Sequence, residues 1–214
     1  MADWVKYFEK TRRSIFDRVE GTRRLIELVI DQTPKGGRIL EAGCGTAVLS
    51  IILADYGFDV TALDYSQEVL DYAKERLFLN KIRLKFIQGD ILKLSALFGN
   101  QHFDTICHSG VMEHFKDEDI VASLSEQRII SKKVIFAIPN NRIKNTSGMF
   151  GDERLMGNQK WVSLIKAAGF GTVKVYGGYD LPRFTYFLLP GAFFHRRGSF
   201  WWKHFSKHSI FVCE

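Results

Sequence analysis

Residues 38–47 of the chain read RILEAGCGTA, and this stretch decides the fold. Its first half is a short, largely apolar run of the kind that forms a buried strand. Its second half contains Gly43 and Gly45. Glycines let the backbone turn tightly and approach a ligand where a β-carbon would clash. With an apolar helical pattern after it, the stretch predicts a strand, a glycine turn and a helix that together bind a ligand at the carboxyl end of the strand.

The strand and helix patterns continue to alternate along the chain. Strands are predicted over residues 59–63, 83–88, 103–107 and 133–138, and helices over 47–56, 66–79 and 117–130. This alternation predicts a doubly wound, mostly parallel α/β sheet with helices on both faces. A helix over 159–168 and strands over 170–176 and 208–213 complete seven strands, the last of them antiparallel and paired with the sixth.

The rest of the chain is predicted to surround this core within a single domain, 1–214. Residues 1–33 form an N-terminal helical cap of two helices that break near Gly21. Residues 38–176 form the core, and residues 177–207 form an aromatic and basic insertion before the last strand. The long connection over 139–158 is typical of a lid or of a disordered loop.

Composition places few limits on function. Hydrophobic residues make up 46% and charged residues 25% of the chain, which is ordinary for a globular protein. The three cysteines are scattered without the spacing of a zinc site or a disulfide framework, so we expect no metal and a reducing compartment. Without a recognisable signal peptide or membrane span, the expected location is the cytoplasm. The net charge of +6 weakly favours an anionic partner.

Two carboxylates follow the glycine turn at the ends of later strands. Asp64 ends the second strand, where it can accept hydrogen bonds from ribose hydroxyls, and Asp90 follows the third. A nicotinamide dinucleotide is disfavoured, because the third glycine of its fingerprint is replaced here by Val48. Taken singly, each carboxylate could instead cap a helix or start a turn. Their joint position at one edge of the sheet favours a nucleoside site.

The motifs Glu41-x-Gly43-Cys44-Gly45-Thr46, Asp64 and Gly89-Asp90-Ile91 resemble the first three motifs of class I S-adenosylmethionine-dependent methyltransferases. The resemblance covers roughly residues 38–176. It implies that Gly43 and Gly45 lie against the methionine part of the cofactor, that Asp64 binds the ribose, and that Tyr65, Asp90 and Ile91 surround the adenine. The full set of implied cofactor residues is Glu41, Gly43, Cys44, Gly45, Asp64, Tyr65, Asp90, Ile91 and His108. Ala47 stands where many members of this family have a third glycine, and we expect it to shift the start of the helix slightly.

The segment HSGVMEHF, residues 108–115, follows the fourth strand and faces the transferable methyl group in this superfamily. Its Glu113-His114 pair resembles one found in many small-molecule methyltransferases. His114 can therefore act as a base toward a hydroxyl, because imidazole titrates near neutral pH. His108 competes for the same role at the strand end, and a purely structural histidine is the alternative for His114.

The absence of two motifs reduces the number of acceptor classes that we expect. The chain lacks the Asn/Asp-Pro-Pro-aromatic run of amino-directed enzymes, and Cys107 lacks the context of a cytosine-directed nucleophile. The resemblance thus implies methyl transfer to oxygen or nitrogen of a small lipid-like, aromatic or glycan-derived molecule, with nucleic acid disfavoured. Methylation of RNA or protein and a non-catalytic cofactor-binding subunit remain alternatives, as do a monomer and a homodimer.

Substrate selection is expected from the segments around the core. Tyr7, Phe8 and Arg12 are candidates to close over the cofactor. Polar candidates for an acceptor group are Asn140, Arg142, Glu153 and Arg154. The segment 181–207 combines aromatic and basic residues without an acid up to Cys213, which is typical of an aromatic cap, a peripheral membrane contact or a nucleic-acid contact.

Overall fold

Seven strands form one sheet in the computed structural model, which describes residues 4–11, 15–75, 84–141, 153–178, 206 and 208–214. The strands are β1 (Arg38–Ala42), β2 (Asp59–Asp64), β3 (Leu84–Gln88), β4 (Thr105–Ser109), β5 (Val134–Pro139), β6 (Val173–Gly177) and β7 (His208–Cys213). Their spatial order is β3-β2-β1-β4-β5-β7-β6. Only β7 runs antiparallel, and it pairs with both β5 and β6. The predicted fold class and the pairing of the last two strands are confirmed.

Helices cover both faces of this sheet. They are α1 (Trp4–Thr11), α2 (Ile15–Gln32), α3 (Val48–Asp55), α4 (Gln67–Glu75), α5 (Leu94–Phe98), α6 (Asp117–Ile130) and α7 (Asn158–Ala167). Successive strand residues point to opposite faces. In β1, Ile39 packs on the side of α2 and α3, whereas Leu40 packs on the side of α6 and α7. Each of the two faces therefore has its own apolar core.

Three local predictions need correction. Gly21 lies inside α2, so the predicted helix break near it is wrong. A 3₁₀ turn at Ile91–Lys93 and helix α5 were not predicted. Strand β4 runs over Thr105–Ser109 rather than over residues 103–107. Within the described ranges, no helix has both the length and the apolar character needed to cross a membrane.

Helix α3 begins one residue later than predicted because Ala47 has a left-handed backbone. Its φ is 56°, and it is the one non-glycine residue with positive φ in the described part of the chain. An L-residue pays roughly 1–2 kcal/mol for this conformation. The methyl group is nevertheless fully buried, packed beside Cys44, Ala62 and Leu70. Backbone strain and apolar burial therefore oppose each other at this position.

We expect Ala47→Gly to change the free energy of unfolding by less than about 1 kcal/mol. Relief of the strain is offset by loss of a buried methyl group, which contributes about 0.8 kcal/mol, and by the greater freedom of glycine in the unfolded chain. Ala47→Val should destabilise by more than about 2 kcal/mol, because a β-branched residue tolerates positive φ poorly. Urea unfolding of both variants tests this, and a valine variant as stable as the wild type would contradict it.

His108 lies inside the core and not at the edge of the sheet. Its side chain is fully buried on β4 and stacks on Phe136 with ring centroids 4.9 Å apart. Neither ring nitrogen has a hydrogen-bond partner in the described part of the chain. Burial lowers the pKa of His108 to about 3, and the nearby Gln127 amide offsets only part of that effect. This placement argues against the roles predicted for His108 as a base and a cofactor contact, since a neutral, solvent-excluded ring cannot exchange a proton with an acceptor.

We expect His108 to make the protein sensitive to acid. An unfolded histidine takes up a proton near pH 6.5 whereas folded His108 does not, so its contribution to stability is complete above pH 6.5 and is lost as pH falls toward 3. Between pH 7 and pH 5 the loss should be about 2 kcal/mol. Urea unfolding at both pH values should show this loss reduced in His108→Phe and unchanged in His102→Phe, which alters an exposed histidine. Equal pH dependence in all three proteins would contradict the expectation.

Candidate functional site

Apart from His108, the predicted cofactor residues lie at or next to the carboxyl edge of β1, β2 and β3, three neighbouring parallel strands. Ala42 lies opposite Leu63, and Asp64 lies opposite Gln88. The amides of Gly43 and Cys44 both donate to the carbonyl of Leu63, at 2.7 and 2.9 Å. The chain thus bends sharply as it leaves β1. This bend brings the glycine loop, residues 43–47, beside the end of β2.

Asp64 joins the glycine loop to the start of α4. Its Oδ2 accepts from the amide of Gly45 at 2.9 Å, and its Oδ1 accepts from the amide of Ser66 at 3.1 Å. Burial raises the pKa of Asp64, while these amides act in the opposite direction. A carboxylate offers about four lone-pair positions, so both oxygens keep room for a further donor. Two neighbouring hydroxyls, such as those of a ribose, fit this remaining capacity.

Glu41 joins β1 to α3, the two elements on either side of the glycine loop. Its buried Oε2 accepts from the amide of Ser50 at 2.8 Å and from the Ser50 hydroxyl. Burial, opposed by these two bonds and reinforced by the charge of Asp64, raises the pKa of Glu41 to about 8. Glu41 therefore ties β1 to the first turn of α3. Its Oε1 accepts no hydrogen bond within the described residues, so one oxygen remains for the predicted cofactor contact.

The other predicted cofactor residues differ in their burial and in their hydrogen bonds. Cys44 is buried beside α4, and its thiol has a pKa raised by burial, so only its backbone lies in the loop. Tyr65 is 56% exposed at the end of β2. Asp90 accepts from the amide of Leu92 at 2.9 Å and so starts the 3₁₀ turn. Ile91 is buried in the core on the α6 side of the sheet.

The segment after β4 packs directly against the glycine loop. A β-carbon on Gly43, whose φ is +75°, would lie 2.6 Å from Cγ2 of Val111. Val111 therefore occupies the space that any side chain at position 43 would need. The 3₁₀ turn Met112–His114 follows at once. This contact brings the Glu113-His114 pair to the same edge as the predicted cofactor site.

Helix α1 crosses over the glycine loop. A β-carbon on Gly45 would lie 3.1 Å from the ring of Phe8, and the Phe8 ring also approaches Tyr72 of α4, with centroids 6.0 Å apart. At its other end, Trp4 makes an edge contact with His114 at 5.5 Å between ring centroids. Phe8 thus lies beside the glycine loop, closure of Tyr7 and Phe8 over the cofactor stays a prediction, and Arg12 lies outside the described residues.

Two polar residues proposed from the sequence as acceptor contacts make protein contacts instead. The buried Asn140 amide donates to the carbonyl of Ser206 at 2.9 Å and to the Ser209 hydroxyl at 3.2 Å. Arg154 binds Phe115 and Asp117. The described structure thus gives both a role inside the fold. Arg142 and nearly all of 181–207 lie outside the described residues, and the predicted membrane contact stays a prediction.

Sequence reasoning missed two residues at this edge. Leu97 is 43% exposed and covers Gly89, where a β-carbon would lie 2.5 Å from its Cδ2. Its helix, α5, has only five residues and shows no clear apolar period. Val111 was missed because its partner Gly43 is distant in the sequence. Both residues depend on tertiary contacts for which the chain carries no local signal.

Comparison with known proteins agrees with this geometry. Residues 39–133 match the model of a family described as a methyltransferase domain. The Bacillus subtilis (strain 168) protein YqeM is 25% identical over 154 residues, which are 72% of this chain and 62% of YqeM. A ubiquinone biosynthesis O-methyltransferase of Coxiella burnetii is 34% identical over 85 residues, which are 40% of this chain and 36% of that enzyme. Both matches thus span less than two thirds of the relative.

The fold has a solved counterpart. The crystal structure of a SAM-dependent methyltransferase from Archaeoglobus fulgidus aligns with a TM-score of 0.72, covering 99% of each chain at 13% sequence identity. At this identity the likeness concerns the fold. Together with the family match, which includes the glycine loop, Asp64 and the segment after β4, it shows that this chain has a Rossmann-like fold and is similar over residues 39–133 to a methyltransferase domain.

Proposed function

We propose that the protein transfers a methyl group from S-adenosylmethionine to an oxygen or nitrogen atom of a small-molecule acceptor. The observation that carries the proposal is the contact of Val111 with Gly43, which brings the segment bearing His114 against the cofactor loop. Cofactor residues and a candidate base thereby share one edge of the sheet. A non-catalytic cofactor-binding protein would not need this second element.

The site fits the cofactor through its glycine loop and Asp64. Gly45 presents bare backbone beside the Phe8 ring, and Asp64 keeps acceptor positions for ribose hydroxyls. When bound, S-adenosylmethionine supplies a sulfonium that activates its methyl group toward nucleophiles. The protein has to align the acceptor with the methyl group and exclude water. Such alignment accounts for much of the rate when no covalent enzyme intermediate forms.

His114 is the residue we assign to proton transfer. It lies in the 3₁₀ turn next to the cofactor loop, is half-buried and contacts Trp4 of α1. A hydroxyl acceptor must lose its proton as oxygen takes the methyl group, and a half-buried imidazole can accept it. Fully buried His108 is not part of this proposal. The oxygen chemistry named for the ubiquinone-pathway relative supports a hydroxyl acceptor.

Transfer of label from methyl-labelled S-adenosylmethionine tests the proposal. The full-length protein is incubated with a cell extract, and we expect label in the small-molecule fraction rather than in RNA or protein. With S-adenosylmethionine kept below its Kd, Asp64→Ala should lower labelling roughly tenfold to hundredfold, since a hydrogen bond to a charged group contributes about 1.5–3 kcal/mol. Asp71→Ala, which removes an exposed aspartate of α4, should label as the wild type does.

Thermal unfolding with S-adenosylhomocysteine separates loss of binding from loss of fold. At a hundred times its Kd, the ligand should stabilise the wild type by about 2.7 kcal/mol and Asp64→Ala by much less. Label found only in RNA or protein would overturn the small-molecule acceptor. Unchanged ligand affinity in Asp64→Ala would remove Asp64 from the ribose role.

For His114→Ala we expect cofactor affinity within about twofold of wild type and kcat lowered by about 10²–10⁴, the usual contribution of a general base. The measurement uses the acceptor fraction that takes up label. His102→Ala, which removes an exposed histidine, is the matched control. Full activity in His114→Ala would eliminate it as the base.

A further inference from the structure

The backbone that carries His114 has little regular structure of its own. The turn Met112–His114 lies between β4 and α6. Within it, two backbone hydrogen bonds are formed: the His114 amide donates to the carbonyl of Val111 at 3.4 Å, and the Phe115 amide donates to the carbonyl of Met112 at 3.0 Å. Helix α6 starts only at Asp117. The position of His114 therefore depends on contacts from other parts of the chain.

Arg154 supplies such contacts on both sides of His114. Its backbone amide donates to the carbonyl of Glu113 at 2.9 Å, one residue before His114. Its guanidinium donates through Nη1 to the carbonyl of Phe115 at 2.6 Å, one residue after His114. These two carbonyls bracket the histidine. A single residue from the connection before α7 thus holds both peptide groups next to it.

A third contact fixes the guanidinium itself. Nη2 of Arg154 donates to Oδ1 of Asp117 at 2.5 Å, and Lys160 of α7 binds Oδ2 of the same carboxylate at 2.5 Å. These two cations lower the pKa of Asp117, which therefore stays charged at neutral pH. A guanidinium presents several donors in a rigid planar fork, so it can bind a carboxylate and a carbonyl at once. A lysine ammonium has no such fork.

We propose that Arg154 is a positioning residue that holds His114 in place for methyl transfer. Val111 packs on Gly43 and Trp4 contacts His114, so among the described residues Arg154 adds a third element that contacts this segment. The inference rests on the proposed function, in which His114 accepts a proton. The Arg154–Asp117 pair is about one-third exposed, and exposed ion pairs contribute little to global stability. Arg154 therefore acts chiefly on the local geometry of the segment.

Kinetics on the full-length protein test this role with four variants. Arg154→Met removes the side-chain contacts, and Arg154→Lys keeps the charge beside Asp117 without the fork. Lys160→Met removes the other cation but leaves both carbonyl contacts, and Arg23→Met removes an exposed arginine paired with Glu27 on α2. We expect kcat to fall at least tenfold in Arg154→Met and at least fivefold in Arg154→Lys, with KM for S-adenosylmethionine within twofold. The other two variants should keep kcat within twofold.

Amide hydrogen exchange gives a readout that needs no acceptor. With S-adenosylhomocysteine bound, amides of residues 113–117 should exchange at least fivefold faster in Arg154→Met than in the wild type, and Arg23→Met should match the wild type. Unchanged exchange in Arg154→Met would overturn the proposal. So would wild-type kcat in Arg154→Lys, because charge alone would then suffice.

The two proposals fail in different ways. If the wild type labels no acceptor in any fraction, the proposed function is wrong, and the exchange data alone decide whether Arg154 holds the segment. If His114→Ala is fully active while Arg154→Met loses kcat, Arg154 does not act through His114 and the inference is overturned. If Arg154→Met also lowers the free energy of unfolding by at least the free energy that corresponds to its loss in kcat, about 1.4 kcal/mol for tenfold, a general structural role replaces the local one.

Discussion

The hydrogen bond from the Gly45 amide to Asp64 is the constraint on which the site depends. It joins the loop after β1 to the end of β2, two segments that separate strands deliver to one edge of the sheet. The loop turns back toward Asp64 through the left-handed backbone conformations of Gly43, Gly45 and Ala47. The carboxylate is half-buried in this arrangement and keeps acceptor positions for a ligand. We therefore propose that one side chain, Asp64, both stabilises the loop and binds the ligand.

The cofactor side of the site could be predicted because its determinants are local in sequence. The glycine loop, the strand before it and the carboxylate after the next strand each leave a pattern within a few residues. Parallel topology then brings them together without further information. The same reasoning failed for His108, where a shift of two residues in β4 moved the side chain from the strand end into the core. Because the interior of a strand in such a sheet is covered on both faces, an error of two residues in the strand bounds decides whether a residue is assigned to the core or to the ligand-binding edge.

The other half of the site could not be predicted, because its contacts join distant parts of the chain. Arg154 and Asp117 are 37 residues apart, and Asn140 and Ser209 are 69 residues apart. In the sequence, Arg154 and Asn140 lie in the long connection over 139–158 and suggest ligand contacts. In the structure each satisfies a carbonyl, a hydroxyl or a carboxylate of the same chain. Polar groups that leave water need such partners, so residues of this kind often serve the fold before they serve a ligand.

This division between local and long-range contacts also explains why the motifs reveal the cofactor more readily than the acceptor. The residues that we propose bind the cofactor are backbone turns and one carboxylate, which a short motif can encode. Among the described residues, three separate elements contact the segment of the candidate base: α1 through Trp4, the glycine loop through Gly43, and the connection before α7 through Arg154. A change in any of these elements alters where His114 lies without altering the cofactor motif. Acceptor choice can therefore diverge while the glycine loop and Asp64 stay the same.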